Sequence, residues 1–389
     1  MPRKAGPPWP ALARLHAEAA FHGVLQAGYS NGWAPLCIGS HYAVRTRALR
    51  QIGGLGPELA EDHSTTMLMN AGGWRGVHAI DAIAIGAGPA SFVDMLTQEF
   101  QWSRSLVTIL LRHTLRCLSG LPPRLKLQFL FTQSIYPGLV AFMLAGSLIP
   151  AAALAFDMRF VGVTYPAFLG HSLPILVTFL GIAAMLRRDG HSRPADAPVL
   201  GWERILFPCA QWSCAAWGAL MALRDRLWGG FVDCRITPKG TAAEARLPLR
   251  LIAPYFLLGE PVLARPHVQE AAGFYLLSLL NGGIYVVLVA AILRHHLAEN
   301  RGRPRTRWRF YGPHAGIWVV LNAGAVWARG GESLHFLTVG LGRFQVTSAQ
   351  HVVSGVGQGG RKRLHYVVDF MLWISGAASK PADHEEQHP

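Results

Sequence analysis

Two regimes of patterning divide the chain. Up to about residue 105, apolar positions come in short runs broken by glycine, proline and charge; beyond residue 126 they come in runs long enough to cross a bilayer. In residues 11–26, Leu12, Leu15, Ala19, Phe21 and Leu25 fall roughly on one stripe and predict a helix. Residues 37–45 form a short apolar run broken by glycine, which predicts a strand and a tight turn, and Gly53 to Pro57 reads as a loop. A helix is predicted from about Ser64 to Gly72-Gly73. The loose alternation of Val77, Ala79, Ile83 and Ile85 predicts a strand over 77–85. Pro89 ends it, and Ser91 with Asp94 three residues on marks the start of another helix. Residues 1–105 therefore read as a mixed α/β lobe.

The second regime is a membrane pattern. Phe129 to Phe156 is nearly uncharged, and Ala167 to Leu186 is a second apolar run ended by Arg187-Arg188; roughly 20 such residues cross a bilayer. Runs at about 249–264 and 272–293 predict a second hairpin. Residues 202–228 carry Trp202, Trp212, Trp217 and Trp228. Were they a fifth span, Arg224, Arg226, Arg235, Lys239, Arg246 and Arg250 would lie outside and the arginine block 301–309 would flip, against the inward bias of basic loops. The expectation is four spans plus one interfacial helix within residues 106–300, followed by a small cytoplasmic appendage, 301–389, with a β-like stretch at 343–347.

Composition agrees with this division. Only 15% of residues are charged, yet the net charge is +14. The basic residues lie between apolar segments rather than along one face, which points to cytoplasmic loops of a multi-pass inner (plasma) membrane protein and away from nucleic acid. The start of the chain has no apolar signal core, so both termini are expected in the cytoplasm. The five cysteines form no Cys-x-x-Cys pair and read as reduced thiols, with no metal-ligand spacing.

The chemistry lies in two places. Glu61 and Asp62 open the predicted helix, where a carboxylate is held as an anion by the helix dipole; an Asp there is either an ordinary helix cap or a general base. Gln98, Gln101 and Trp102 sit at i, i+3 and i+4, so one helical face presents two amides and a flat ring on which a sugar can rest.

An acidic pair opening a helix, then a Gln-x-x-(Arg/Gln)-Trp helix, then membrane spans, resembles the second half of membrane-embedded family 2 glycosyltransferases, which include cellulose, curdlan and hyaluronan synthases. The resemblance covers about residues 30–300. It implies a partial GT-A-type α/β catalytic lobe followed by transmembrane helices, and an inverting hexosyltransferase that moves a sugar from a nucleotide sugar, UDP-linked, to a glycan acceptor. Asp62 would be the base, with Glu61 beside it; Gln98, Gln101 and Trp102 would form the acceptor and diphosphate platform. The family motif has Arg where this chain has Gln101, and Arg104 is a candidate replacement for that charge. Cys37, Gly39 and Ser40 resemble the segment bordering the acceptor site. Residues 230–240 resemble the cytosolic gating loop, with Thr237 and Lys239 implied to touch the nucleotide. The family also uses Mg2+ or Mn2+ held by an Asp-x-Asp motif, and this chain contains none. The expectation is therefore a chain that is inactive alone, its nucleotide-binding half missing or supplied by a partner chain. The alternative is a non-catalytic membrane partner or pore subunit of a polysaccharide synthase complex.

Overall fold

A computed structural model describes residues 8–38, 41–84, 86, 88–229, 247–258, 268–299, 308–339, 346–354 and 361–368. In chain order, α1 (Trp9–Ala17) leads through a π-helical turn, Phe21–Leu25, into α2 (Gln26–Tyr29). Then come α3 (Thr46–Gln51), α4 (Glu61–Ala71) and α5 (Phe92–Ile109). A π turn, Leu110–Thr114, a single turn α6 (Leu115–Cys117) and a 3-10 turn, Leu118–Gly120, lead to α7 (Pro123–Gln133). The long helices follow: α8 (Ile135–Phe156), α9 (Tyr165–Arg188), α10 (Trp202–Trp228), α11 (Leu249–Leu258), α12 (Phe274–Glu299) and α13 (Trp308–His335). Strands β1 (Val346–Ser354) and β2 (Arg361–Val368) form an antiparallel pair, with Ala349 opposite Tyr366 and Ser354 opposite Arg361.

The expected α/β lobe is not there. Among the described residues before α8 there are helices and irregular connections, and no strand. The reason is visible in the backbone. A strand needs a neighbour to take its N–H and C=O groups. In 34–38 side chains take them instead: Ala34 donates to and accepts from the Gln128 amide (both 2.9 Å), the Leu36 N–H donates to Gln26 Oε1 (2.9 Å), and the Cys37 N–H donates to Thr66 Oγ1 (2.8 Å). In the second segment the His78 N–H donates to Ser30 Oγ (2.9 Å). Val77 and Ile83 remain exposed, so their alternation buries no face.

The helix predictions fare better, because their end signals are local. Ser91 accepts the Asp94 N–H at 3.1 Å and donates to the Asp94 carboxylate at 2.7 Å, a reciprocal cap that fixes the start of α5. α4 ends at Gly72, and Gly73 follows at φ +84, in the left-handed region glycine tolerates.

The chain divides into two compact units. The first comprises residues 1–149, 183–260 and 281–320. Its main core joins Phe92, Met95 and Leu96 of α5, Leu206, Phe207 and Ala210 of α10, and Ile252 and Tyr255 of α11 with Leu288 and Ile292 of α12. A second core puts Met67 of α4 against Leu106 and Ile109 of α5 and Phe129 of α7. α5 and α10 touch backbone to backbone at Gly218, where an added Cβ would lie 2.6 Å from the Phe100 carbonyl oxygen. Ser103 Oγ bonds the Ala215 carbonyl at 2.7 Å nearby. The second unit comprises 150–182, 261–280 and 321–389. There the Asp157 carboxylate accepts the N–H groups of Gln269, Glu270 and Ala271, each at 3.0 Å. Those bonds hold its pKa below the ordinary carboxylate value.

Four helices among the described residues are long and apolar enough to cross a membrane: 135–156, 165–188, 202–228 and 274–298. The set differs from the expected one. α10 qualifies, although an interfacial helix was expected there; of the 249–264 run the structure describes α11 (Leu249–Leu258), and 259–264 lie outside the described residues. In α9, Leu173, Ile175, Leu176, Val177 and Phe179 all stand about half exposed or more. Apolar side chains uncovered on every side of one helix fit a lipid solvent. The protein is a membrane protein by these helices.

Candidate functional site

α4 begins with the acidic pair. No side chain caps it, and Ala60, just before Glu61, gives its N–H to Ser105 Oγ of α5 at 2.8 Å. Asp62 is 8% exposed, and its Oδ1 accepts the His63 N–H at 2.7 Å. The unpaired N–H groups of the first helical turn favour negative charge there.

One hydroxyl ties a further predicted residue to this start. Thr66 Oγ1 donates to the Asp62 carbonyl at 2.7 Å and accepts the Cys37 N–H at 2.8 Å. Burial pushes the Cys37 thiol above its ordinary pKa, and the charges of Asp62 and Glu61 push it the same way. A cavity of about 800 Å³ opens on this side, lined by Cys37, Tyr42, Thr66, Met69, Asn70 and Trp74 among others. Gly39 and Ser40 lie outside the described residues.

His63, the next residue, faces inward. Its ring sits edge-on to Phe129, and its Nε2 accepts from Gln133 Nε2 at 3.0 Å, since Gln133 Oε1 is occupied by the Thr114 hydroxyl at 2.7 Å. Burial lowers its pKa to about 4, so it stays neutral at physiological pH.

The amide and indole face of α5 meets α4 through Ser105, one turn beyond Gln101 on the same face. It also meets α1. Arg14 donates to Gln98 Oε1, and its guanidinium lies 5.9 Å from the centre of the Trp102 ring. Between those two positions, Glu99 is 2% exposed. It accepts a hydrogen bond from the Tyr136 hydroxyl at 3.0 Å and lies 4.0 Å from Arg14 Nε. Burial raises its pKa to about 7, with Arg14 opposing. Arg14 also bonds Glu18 at 3.0 Å; burial works against its charge, but Glu18 and Glu99 hold it protonated.

Arg104, the candidate for the missing cation, is paired with a buried carboxylate. Its Nε donates to Asp225 Oδ2 of α10 at 2.8 Å and a second nitrogen reaches the same oxygen, while Asp225 is 1% exposed. The residue points off the Gln98–Trp102 face into the α5–α10 seam, where its charge is already matched. Thr237 and Lys239 lie outside the described residues. Among the described residues no group of three or more His, Cys, Asp or Glu side chains could hold a metal ion. The cation implied by the resemblance finds no ligand set in them.

Arg14, Glu99 and Tyr136 escaped the sequence reading. One signal was available: Glu99 interrupts the buried stripe Phe92, Met95, Leu96, Ser103, Leu106 of α5, and an acid on such a stripe needs a partner.

A curated relative matches part of the chain. It is a cellulose synthase-like protein. The match is to cellulose synthase-like protein D4 of Oryza sativa subsp. japonica, 30% identical over 142 residues, which is 34% of this chain and 11% of the relative. No family model and no solved structure matches the chain. The relationship is therefore distant and partial.

Proposed function

We propose that the first unit is the acceptor-side part of a membrane-bound inverting glycosyltransferase of the family 2 β-glycan synthase type, acting on a nucleotide sugar, UDP-linked, and a glycan acceptor. The observation that carries this reading is the Ala60–Ser105 hydrogen bond, which joins the helix start bearing Asp62 to the helix face bearing Gln101 and Trp102. The likeness to a cellulose synthase-like protein supports it.

In this reaction the acceptor hydroxyl gives its proton to the Asp62 carboxylate while its oxygen attacks the anomeric carbon. The bond from that carbon to the diphosphate breaks and the nucleoside diphosphate leaves with the electron pair. A base within hydrogen-bond reach contributes about 10²–10⁴-fold. Trp102 carries the acceptor ring and Gln98 and Gln101 bond its hydroxyls. The test is calorimetric titration of cellohexaose into the protein in nanodiscs. Binding should weaken at least about tenfold in Trp102→Ala, the loss of one ring's packing at about 1.4 kcal/mol or more; equal affinity in the two proteins would sink the reading.

A second reading, a non-catalytic partner within a synthase complex, is favoured by Arg104 being tied to Asp225 and by the lack of a metal-ligand cluster among the described residues. Sugar transfer from UDP-glucose by native membranes separates the two. Asp62→Asn should cut the rate by about 10² or more if Asp62 is the base, and should change nothing if the chain is only a partner.

A further inference from the structure

α1 contributes none of the residues the resemblance marks, yet it supplies the charge nearest the sugar-handling face. Arg14 is 19% exposed at its side chain and reaches four groups at once: Gln98, the Trp102 ring, Glu18 and Glu99. Two of these belong to the acceptor platform and two are carboxylates.

We propose that Arg14 is the positioning residue of this platform, holding the Trp102 ring by a cation–π contact and Gln98 by a hydrogen bond, with Glu99 as the buried counter-charge that competes for it. The inference rests on the acceptor reading of the α5 face. A planar guanidinium can stack on an indole and direct an N–H at an amide oxygen in the same pose, which an ammonium cannot do. It also accounts for an acid at position 99. When Glu99 is protonated, Arg14 and Glu18 balance one to one and Arg14 stays on Trp102 and Gln98. When Glu99 ionises, it gains a claim on the same guanidinium from 4.0 Å away. The groups that act on its titration are Arg14 of α1, Glu18 just after α1 and Tyr136 of α8; His22 lies behind Glu18, and Cys214 of α10 also faces it.

The experiment labels the intact protein with 5-fluorotryptophan and follows the Trp102 resonance, assigned by its loss in Trp102→Phe. The other 11 of the 12 tryptophans report on folding. In the unmodified protein the Trp102 line should shift with an inflection near pH 7. Arg14→Gln should move the line and abolish that inflection, Glu99→Gln should abolish it without moving the low-pH position, and Arg14→Lys should restore neither in full. If Arg14→Gln does not fold, Arg14→Lys and Glu99→Gln carry the test. A Trp102 line indifferent to pH, or unmoved by the Arg14 variants, overturns the proposal. A second arm adds cellohexaose: a tenfold weaker response in Arg14→Gln supports the role, and an unchanged affinity overturns it. Should cellohexaose leave Trp102 of the unmodified protein unmoved, the acceptor reading fails, and the positioning role is decided by the first arm alone.

Discussion

Glu99 and His63 are both buried, and their titrations act on stability in opposite directions. Glu99 keeps its proton up to about pH 7 in the folded protein, against an ordinary value of 4.5. Between those values the folded state holds the extra proton, so stability falls as pH rises, by on the order of 3 kcal/mol across the window. His63 releases its proton down to about pH 4, against an ordinary 6.5. There the unfolded state holds the extra proton, so stability falls as pH drops from 6.5 towards 4, by a similar order. Thermal melts of detergent-solubilised protein from pH 4 to 8 should therefore show Glu99→Gln losing the decline between 4.5 and 7, and His63→Gln losing the decline on the acid side. Identical profiles for both variants and the unmodified protein would contradict these environments. At this scale the sequence was informative about helical placement and poor about long-range partners. The placement of Asp62 at a helix start and of Gln98, Gln101 and Trp102 on one helical face was readable from their spacing; the pairing of Arg104 was not, since its partner lies 121 positions away.

The element that organises the first unit is the α5–α10 pair. Gly218 is the point of closest approach, with the Phe100 carbonyl oxygen 2.6 Å, Ser103 Cβ 2.9 Å and the Arg104 nitrogen 3.0 Å from where a Cβ would stand. Backbone cannot yield as a side-chain tip does, so Gly218→Ala should lower stability by about 1–3 kcal/mol, seen as a lower melting temperature. The Arg104–Asp225 pair seals the same seam. Arg104→Met leaves the buried Asp225 carboxylate with Arg224 as its remaining cation and should cost about 1–3 kcal/mol, and adding Asp225→Leu should recover most of it. Cellohexaose affinity should stay unchanged in the double variant; a loss there would return Arg104 to the binding face. The predicted strands at 37–45 and 77–85 show the converse error. Period-two alternation states what a strand would bury, but pairing is non-local. Here Thr66 took the Cys37 N–H and Ser30 the His78 N–H, while the His41 and Ala82 N–H groups closed local turns on Ile38 and Ala79.

At the scale of the whole molecule, the apolar helices make membrane residence the governing fact. An alkaline carbonate wash should leave the protein in the membrane pellet, and release into the supernatant would count against spanning helices. Topology can be tested at the two ends of α9. Residues 190–197 pack on the lobe: Arg193 donates its N–H to the Ala19 carbonyl and its Nε to the Ile80 carbonyl, both at 3.1 Å. The link 157–164 precedes α9 and should face the opposite side of the bilayer. A single cysteine at position 162 should react with an impermeant maleimide in intact cells, and one at position 190 only after permeabilisation; the reverse pattern would invert the orientation.

Taken by itself, the sequence determined what is local or additive: helix starts and stops, the faces of α4 and α5, and stretches apolar enough for lipid. These follow from spacing, caps and summed hydrophobicity, which need no partner. Only the tertiary structure decided which segments would pair and which charges would meet. It replaced an expected sheet with irregular connections, made α10 one of the long apolar helices, tied Arg104 to Asp225, and brought Arg14 to Trp102. Hydrogen bonds and ion pairs between residues far apart in the chain depend on what else arrives at the same place, and no window along the sequence contains that information.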